Sequence, residues 1–411
     1  MRSVLRRVLL MLATLAAMLL ASEFALRGVW TPRHLASSPD RGPHPFYGTA
    51  PLAAVVGRKV TAEYDHRFRH TAQGWRGRCE VGPREEHATA SGAASGAAAV
   101  QRVLLLGDSF TWGLGVDDEQ TFASRLEADW PGVEVANTGT IGYGTREALA
   151  VLDLFGSAFR PDVAVLVFFW NDLDDNLARD WPHYGRDAEG RVVRLDGRHC
   201  DLDPLAAQPT RLPERGLAGR LRLVQLAEHA WLCLRYQLWG IPPRAVDTPE
   251  GRERAWRVTE ELIGLLADRA REIDCRLVVV SLPDYWQVDP RAQVKGLEAV
   301  HVDVQAPLAE ICQRRELPLV DLLPALRAAA DDTCDASDAS DAGDAGDASE
   351  PLYYRADRHL TARGHAVVAG ELERVLWAEL AARATDVQPS PDAEPAARRH
   401  GARVTSSPAN R

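Results

Sequence analysis

From residue 100 onward, short apolar runs alternate with longer amphipathic segments. "VQRVLLLGDS" is an apolar run entering a turn, residues 119–130 read as a helix, and "VEVAN" at 133–137 reads as a second strand. A helix follows at 145–155, with apolar positions at Leu149, Leu152 and Phe155. "DVAVLVFFWND" at 162–172 is apolar nearly throughout, as expected of a central parallel strand covered on both faces. After an interruption the rhythm resumes with a helix at 250–273, a strand at 275–281, a helix at 302–315 and a strand at 317–322. A last helix starts near Thr361. Such alternation predicts an α/β fold: an open parallel sheet of about five strands between helices. In sheets of this kind, function collects beyond the carboxyl ends of the strands.

The breaks in the rhythm divide the chain. Residues 31–99 are rich in Pro, Gly, Arg and His and end in "TASGAASGAAA", which reads as an N-terminal extension and flexible linker. The main domain is expected over 100–382. Within it, an insertion at 173–250 contains Trp181-Pro182 and a helical stretch at 217–239. That stretch sets Arg220, Arg222 and Arg235 beside many leucines; it either packs on the body or lies over a membrane or the site. Residues 331–350 carry regular Asp triplets that cannot bury a core and lack a recognisable calcium loop, so a disordered acidic linker is expected. The tail, 383–411, is expected to be disordered as well.

Composition adds bounds. The 411 residues are 46% hydrophobic, enough for a sizeable core. The net charge of −10 is concentrated: residues 331–350 hold eight acidic groups and no basic one, leaving the rest almost neutral. No basic surface for nucleic acid is expected. At the N-terminus, Arg2, Arg6 and Arg7 precede an apolar run at 8–21, so residues 1–30 read as a signal-anchor or a signal peptide. The run is 14 residues, short of the ~20 that span a bilayer comfortably, while Leu19-Leu20-Ala21 is a poor cleavage site. Either way the chain is expected to be exported: membrane-anchored with its main domain outside the cytoplasm, or secreted or periplasmic if cleaved. Six cysteines suit disulfides in such a compartment, with buried free thiols as the alternative. No C-x-x-C pair occurs, so no zinc site is expected.

Three polar or glycine-bearing turns follow the first three strands: Gly107-Asp108-Ser109, the segment from Asn137 to Gly142, and Trp170-Asn171-Asp172. All three should meet at one rim. Acyl transfer needs a serine on a sharp strand-to-helix turn, hydrogen-bond donors around the developing oxyanion, and a base held by an acid. Ser109 fits the first need, and its own N–H, that of Gly142 and the amide of Asn171 fit the second. Asp357 and His359, just before the last helix with Thr361 as its N-cap, fit the third. Each also has a plainer reading: Ser109 as an N-cap, Gly142 as a turn residue, Asn171 satisfying loop carbonyls, His359 at the surface. Asp108 is expected to brace its turn, and His365 to pack inside the helix. Trp112, Trp170, Trp181 and Trp286 either stack on sugars or fill the core.

Four blocks, "LLLGDSFTWGLGV", "NTGTIGYG", "FFWNDLDDN" and "DRHLTARGH", occur in an order that resembles the SGNH (GDSL-type) hydrolase superfamily. The resemblance runs from about residue 100 to 382, broken by the insertion. It implies a flavodoxin-like sandwich, Ser109 as nucleophile, His359 as base, Asp357 as its orienting acid, and Ser109, Gly142 and Asn171 as the oxyanion hole. The superfamily's usual last block is Asp-x-x-His, whereas here Ala356 stands three before His359 and the pattern is Asp-x-His. That spacing is similar to the alginate O-acetyltransferase-like branch, where Trp typically follows instead of Leu360. The implied activity is hydrolysis of O-acyl, foremost acetyl, esters of a small molecule or an envelope polysaccharide, without metal or organic cofactor. Acyl transfer to a sugar, or a non-catalytic carbohydrate-binding or assembly role, are the alternatives.

Overall fold

Val103, Leu104, Leu105 and Leu106 are each at most 1% exposed, because the strand they form is covered by helices on both faces. The computed structural model describes residues 2–29, 37–44, 47–77, 100–178, 184–186, 192–194, 221–239, 244–289, 303–337 and 350–386. Helix α1 spans Arg2–Val29. Two antiparallel hairpins follow, β1 (Arg41–His44) with β2 (Gly48–Pro51) and β3 (Val56–Val60) with β4 (Asp65–Arg69). Next come β5 (Gln101–Leu106), α2 (Ser109–Trp112), α3 (Phe122–Asp129), β6 (Val133–Asn137), α4 (Thr145–Val151), β7 (Val163–Phe168) and α5 (Asp172–Ala178). A small hairpin, β8 (Tyr184–Arg186) with β9 (Val192–Arg194), and α6 (Arg222–Trp239) precede α7 (Pro249–Glu272). The chain continues through β10 (Arg276–Ser281), α8 (Tyr285–Val288), α9 (Gln305–Arg315), β11 (Leu319–Asp321), α10 (Leu323–Ser337) and α11 (Ala362–Asp386).

Five parallel strands in the order β11-β10-β7-β5-β6 form the sheet, as the alternation predicts. Successive side chains of a strand point to opposite faces. Leu104 and Leu106 therefore pack with Leu149 of α4, Leu262 of α7 and Leu308 of α9. Val103 and Leu105 pack on the other face with Phe122 of α3 and Leu372 of α11. Each fully buried aliphatic side chain of this kind stabilises the fold by roughly 1.5–3 kcal/mol. Helix starts follow capping chemistry: Thr248 accepts from the Gly251 amide ahead of α7, with Pro249 at the first helical position. Leu105 lies opposite Asn137 and Leu106 opposite Leu166, so β5 and β6 end within a residue of each other and β7 runs two residues further.

Several boundaries differ from expectation for local reasons. The strand expected over 162–172 stops at Phe168, because the Asn171 carbonyl accepts from the Asp174 and Asp175 amides and begins α5. The insertion expected at 173–250 thus starts inside the core, where Leu173 and Asn176 are fully buried. Residues 331–337 of the expected acidic linker are the last turns of α10, which the Ala-rich stretch before them propagates; 338–349 lie outside the described residues. Likewise 383–386 complete α11, and the tail beyond lies outside the described residues.

The extension, 31–99, contains folded structure. Residues 37–44 and 47–77 are folded onto the domain, with Tyr47 and Trp75 joining the core and the Trp75 ring 5.3 Å from that of Phe155. The tract at 89–99 lies outside the described residues. Arg76, 3% exposed, is the staple. Its Nε donates to Asp118 Oδ1 at 3.0 Å, Nη1 to the Trp112 and Gly113 carbonyls at 2.9 and 2.5 Å, and Nη2 to those of Val116 and Arg67 at 2.5 and 3.4 Å. The guanidinium also lies 4.2 Å from the centre of the Trp112 ring. Trp112 is accordingly a core residue, not a surface for stacking sugars.

Helix α1 is mostly exposed, and residues 3–29 have a mean hydropathy of 2.1 over their most apolar stretch, long and apolar enough to serve as a signal or membrane anchor. Glu23 ties it to α6 by accepting from the Arg222 and Leu223 amides, both at 3.0 Å. Cys275 and Cys312 are free and buried, which matches the free-thiol alternative for these two. Burial raises both thiols, to about 12 and about 11.

Because Arg76 donates to one carboxylate and four carbonyls inside the fold, Arg76→Ala should remove a buried charge partner and five hydrogen bonds. The expected loss is about 3–5 kcal/mol of unfolding free energy in urea; a loss below ~1 kcal/mol would show that water replaces the guanidinium freely.

Candidate active site

Gly107 makes the turn from β5 into α2. Its φ is +155°, and a Cβ there would lie 2.3 Å from Thr111 Oγ1 and 2.9 Å from the Val167 carbonyl, so only glycine fits. Asp108 braces the turn as expected: its Oδ1 accepts from the Phe110 amide at 2.8 Å. Ser109 is then the first residue of α2, where a backbone N–H has no intrahelical acceptor. Asn137 holds the next loop against it, donating to the Thr111 carbonyl at 2.8 Å and accepting from the Gly139 amide at 3.1 Å. Gly139 is needed for this approach, since a Cβ would come within 2.5 Å of the Trp112 nitrogen.

The last piece arrives from the segment before α11. Tyr354 N–H donates to the His359 carbonyl at 2.8 Å and Thr361 N–H to that of Leu352 at 3.0 Å, forming a tight excursion over 354–359. Thr361 then caps α11, accepting from the Gly364 amide at 3.3 Å. Within the excursion, Arg358 has φ +68°, which folds the backbone between Asp357 and His359. Asp357 Oδ1 lies 2.5 Å from His359 Nδ1, and His359 Nε2 lies 2.7 Å from Ser109 Oγ. With the ring proton donated from Nδ1 to the carboxylate, Nε2 is left to accept from the serine hydroxyl. The Phe110 ring, 4.5 Å from the imidazole, supports it from the side.

The carboxylates near this chain differ in environment. Burial works to raise Asp357, but the hydrogen bond and charge of His359, with the Tyr64 hydroxyl, outweigh it and hold the carboxyl below its usual range. Asp108 and Asp172 are fully buried, and both are raised, by burial foremost. For Asp172 the nearby Asp108 and Asp175 carboxylates add to the effect, while the Thr145 hydroxyl, donating at 3.1 Å, opposes it.

The structure therefore brings Ser109, His359 and Asp357 into one hydrogen-bonded chain. Gly142 (φ +82°) and Asn171 lie on the neighbouring loops after β6 and β7, and no hydrogen bond joins them to the three among the described residues. Asn171 Nδ2 donates to Asp175 Oδ2 at 3.1 Å, which orients the amide and leaves its second N–H. His365 is buried and accepts from the Phe122 amide at 3.3 Å, so it packs in α11, away from the reacting chain. The Trp170 and Trp286 rings are covered by the guanidinium groups of Arg244 and Arg358, each 4.5 Å from the ring centre; Trp181 lies outside the described residues.

Two residues of the extension also reach this site. Tyr64 Oη donates to Asp357 Oδ2 at 3.0 Å, and the Glu63 carboxylate accepts from the Ala356 and Asp357 amides at 2.9 and 2.7 Å. Sequence reasoning missed both. The available signal was the alternation Tyr64, His66, Phe68, His70, whose period of two marks a half-buried strand.

No family model matches the chain, and no curated protein matches it. Among solved structures it is similar to an acetyl xylan esterase, AlAXEase, at 13% identity, covering 67% of this chain and 99% of that one with a TM-score of 0.37. A member of the lipolytic protein G-D-S-L family from Veillonella parvula DSM 2008 is 12% identical, covering 67% and 98%, with a TM-score of 0.34. A lipase/acylhydrolase from Enterococcus faecalis is 11% identical, covering 67% and 95%, with a TM-score of 0.33. Likeness at this distance says nothing by itself about activity.

Three buried histidines lie in the region around Ser109. His66 accepts from the Gly115 amide at 3.2 Å, His70 from Trp112 Nε1 at 3.1 Å and His365 from the Phe122 amide. Burial depresses them from 6.5 to about 3, about 4 and about 3. Below pH 6.5 the unfolded chain binds protons that these rings refuse in the folded one, so their contribution to stability falls as pH drops toward 4, while Asp108 and Asp172, raised by burial, act in the opposite sense. Each such proton steepens the fall by about 1.4 kcal/mol per pH unit. Between pH 7 and 4.5 the His70→Gln variant should lose less stability in urea than the wild type; the same pH dependence of both midpoints would place that ring in water.

Proposed function

We propose that the chain is a serine esterase of the SGNH type, removing O-acyl groups, acetyl foremost, through an acyl-serine intermediate. The observation that carries this reading is the unbroken hydrogen-bond chain from Ser109 Oγ through both nitrogens of His359 to Asp357. The Ser109 oxygen attacks the ester carbonyl carbon as His359 Nε2 takes the hydroxyl proton, and the carbonyl oxygen becomes negative. The Ser109 and Gly142 backbone N–H groups and the free N–H of Asn171 are the donors assigned to that oxyanion. Collapse expels the alcohol, which leaves with the proton from His359. Water then repeats the sequence on the acyl-serine, releasing the acid and restoring the hydroxyl. Asp357, depressed below its usual range, stays a carboxylate throughout and supports the imidazolium that forms. The chemistry calls for no metal or organic cofactor.

Helix α1 supports an exported, membrane-attached setting, and an O-acylated envelope polysaccharide is the substrate class we assign to it. A sugar hydroxyl in place of water would make the same residues an acyltransferase.

Wild-type protein should hydrolyse p-nitrophenyl acetate and be labelled at Ser109 by an organophosphonate, and Ser109→Ala should lose both. Release by the wild type no faster than by the alanine variant would favour a carbohydrate-binding role instead. Asn171→Ala should lower kcat by roughly 10²–10³ with a smaller change in KM, the usual cost of one oxyanion donor. An unchanged kcat would remove Asn171 from the site.

A further inference from the structure

Asp357 sits in a turn that the tip of the β3–β4 hairpin holds on one side. Thr61 shapes that tip: its hydroxyl oxygen accepts from the Glu63 and Tyr64 amides at 3.1 and 3.2 Å. The tip presents two side chains to the turn. Glu63 takes up the Ala356 and Asp357 amides, fixing the backbone from which the acid projects. Tyr64 occupies Asp357 Oδ2, the oxygen that His359 does not use. Together they determine where the carboxylate stands and which oxygen faces the imidazole.

The same hairpin grips the other half of the site. The Arg67 and Arg69 amides donate to Asp117 and Asp118 at 2.6 and 3.3 Å, and His66 accepts from Gly115, all in the segment following the Ser109 turn. Tyr354 closes the circuit, its hydroxyl donating to the Gly115 carbonyl at 2.8 Å and its ring lying 5.0 Å from that of Tyr64. The hairpin thus bridges the loop after the nucleophile and the turn bearing the acid.

We propose that Glu63 and Tyr64 are positioning residues for catalysis, holding Asp357 in register with His359 and, through it, with Ser109. This rests on the esterase reading above. It also gives the short Asp-x-His spacing a physical counterpart: a left-handed Arg358 brings the acid to the ring, and the hairpin keeps it there. Neither side chain touches the reacting atoms, so their effect should appear in kcat and in the state of the His359–Asp357 hydrogen bond rather than in substrate affinity.

The test uses the full chain in detergent and the variants Tyr64→Phe, Glu63→Ala and Glu63→Gln, with urea midpoints measured for each. For p-nitrophenyl acetate, Tyr64→Phe and Glu63→Ala should each lower kcat roughly tenfold with KM within about twofold, as expected for a lost hydrogen bond to a charged group. Glu63→Gln, which keeps an acceptor, should recover part of the loss. Independently of turnover, the low-field proton resonance of His359 Nδ1–H should shift or broaden in Tyr64→Phe relative to wild type. Wild-type kcat in both Tyr64→Phe and Glu63→Ala, with that resonance unmoved, would overturn the proposal. If the wild type lacks esterase activity, the esterase reading fails, and the resonance in Tyr64→Phe alone decides whether the hairpin holds Asp357. A Glu63→Ala variant that does not fold leaves Tyr64→Phe, which removes only a hydroxyl, to decide the same question.

Discussion

The hydrogen bond between Ser109 Oγ and His359 Nε2 joins residues 250 positions apart, and the rest of the structure can be read as what makes that meeting possible. On the serine side, the carboxyl ends of the adjacent strands β5, β6 and β7 bring three loops to one rim, and Gly107 turns the chain sharply into the first turn of α2. On the histidine side, α11 is pinned against β5 and α3 by apolar contacts, and its Thr361 cap fixes where the preceding loop must begin. Neither side has freedom to drift by an ångström without disturbing close-packed core. A catalytic hydrogen bond needs that rigidity in its supports more than it needs strength of its own.

A second layer of order comes from polar groups buried beside the site. Arg76 gathers carbonyls from the loop after α2, while His66, His70 and His365 each accept one N–H. His70 is the clearest case, with Nδ1 against the Leu52 carbonyl at 2.9 Å and Nε2 accepting from Trp112, so both ring nitrogens are committed and the ring is neutral. Such networks contribute little net stability when intact but penalise every arrangement in which a partner is missing. Their effect is to allow one placement of the loop from Gly113 to Asp118, and hence of the hairpin tip that reaches Asp357.

The parallel sheet was legible because buried strands such as residues 103–106 are aliphatic throughout, and the rim loops were legible because each follows such a strand. Ser109, Asp357 and His359 could be named from sequence since the turn and cap residues around them, Gly107 and Thr361, have distinct local chemistry. The folded extension was not legible in the same way. Its core-facing positions are Tyr64, His66, Phe68 and His70, and a strand with polar aromatic residues inside does not announce itself among Pro, Gly and Arg. Its stability depends on partners such as Asp118, Gly115 and Trp112 that only the assembled structure supplies. The helical start of the Asp-rich run failed for the opposite reason: local composition pointed to a solvated linker, while the helix already under way continued into it.

Two carboxylates lie near His359, and their surroundings separate them. Asp108 is the nearer in sequence to the nucleophile, but it is sealed from water, and burial disfavours its charged form. Its carboxyl is therefore raised, and it serves the turn through the Phe110 amide. Asp357 lies where water, the Tyr64 hydroxyl and two amides through Glu63 surround its segment, and its charge is favoured down to lower pH. A group that must stabilise a transient imidazolium has to be ionised before the imidazolium forms. That requirement selects the half-buried, hairpin-braced acid over the fully buried one, and it explains why a polar extension, packed on the domain, belongs to the site's architecture.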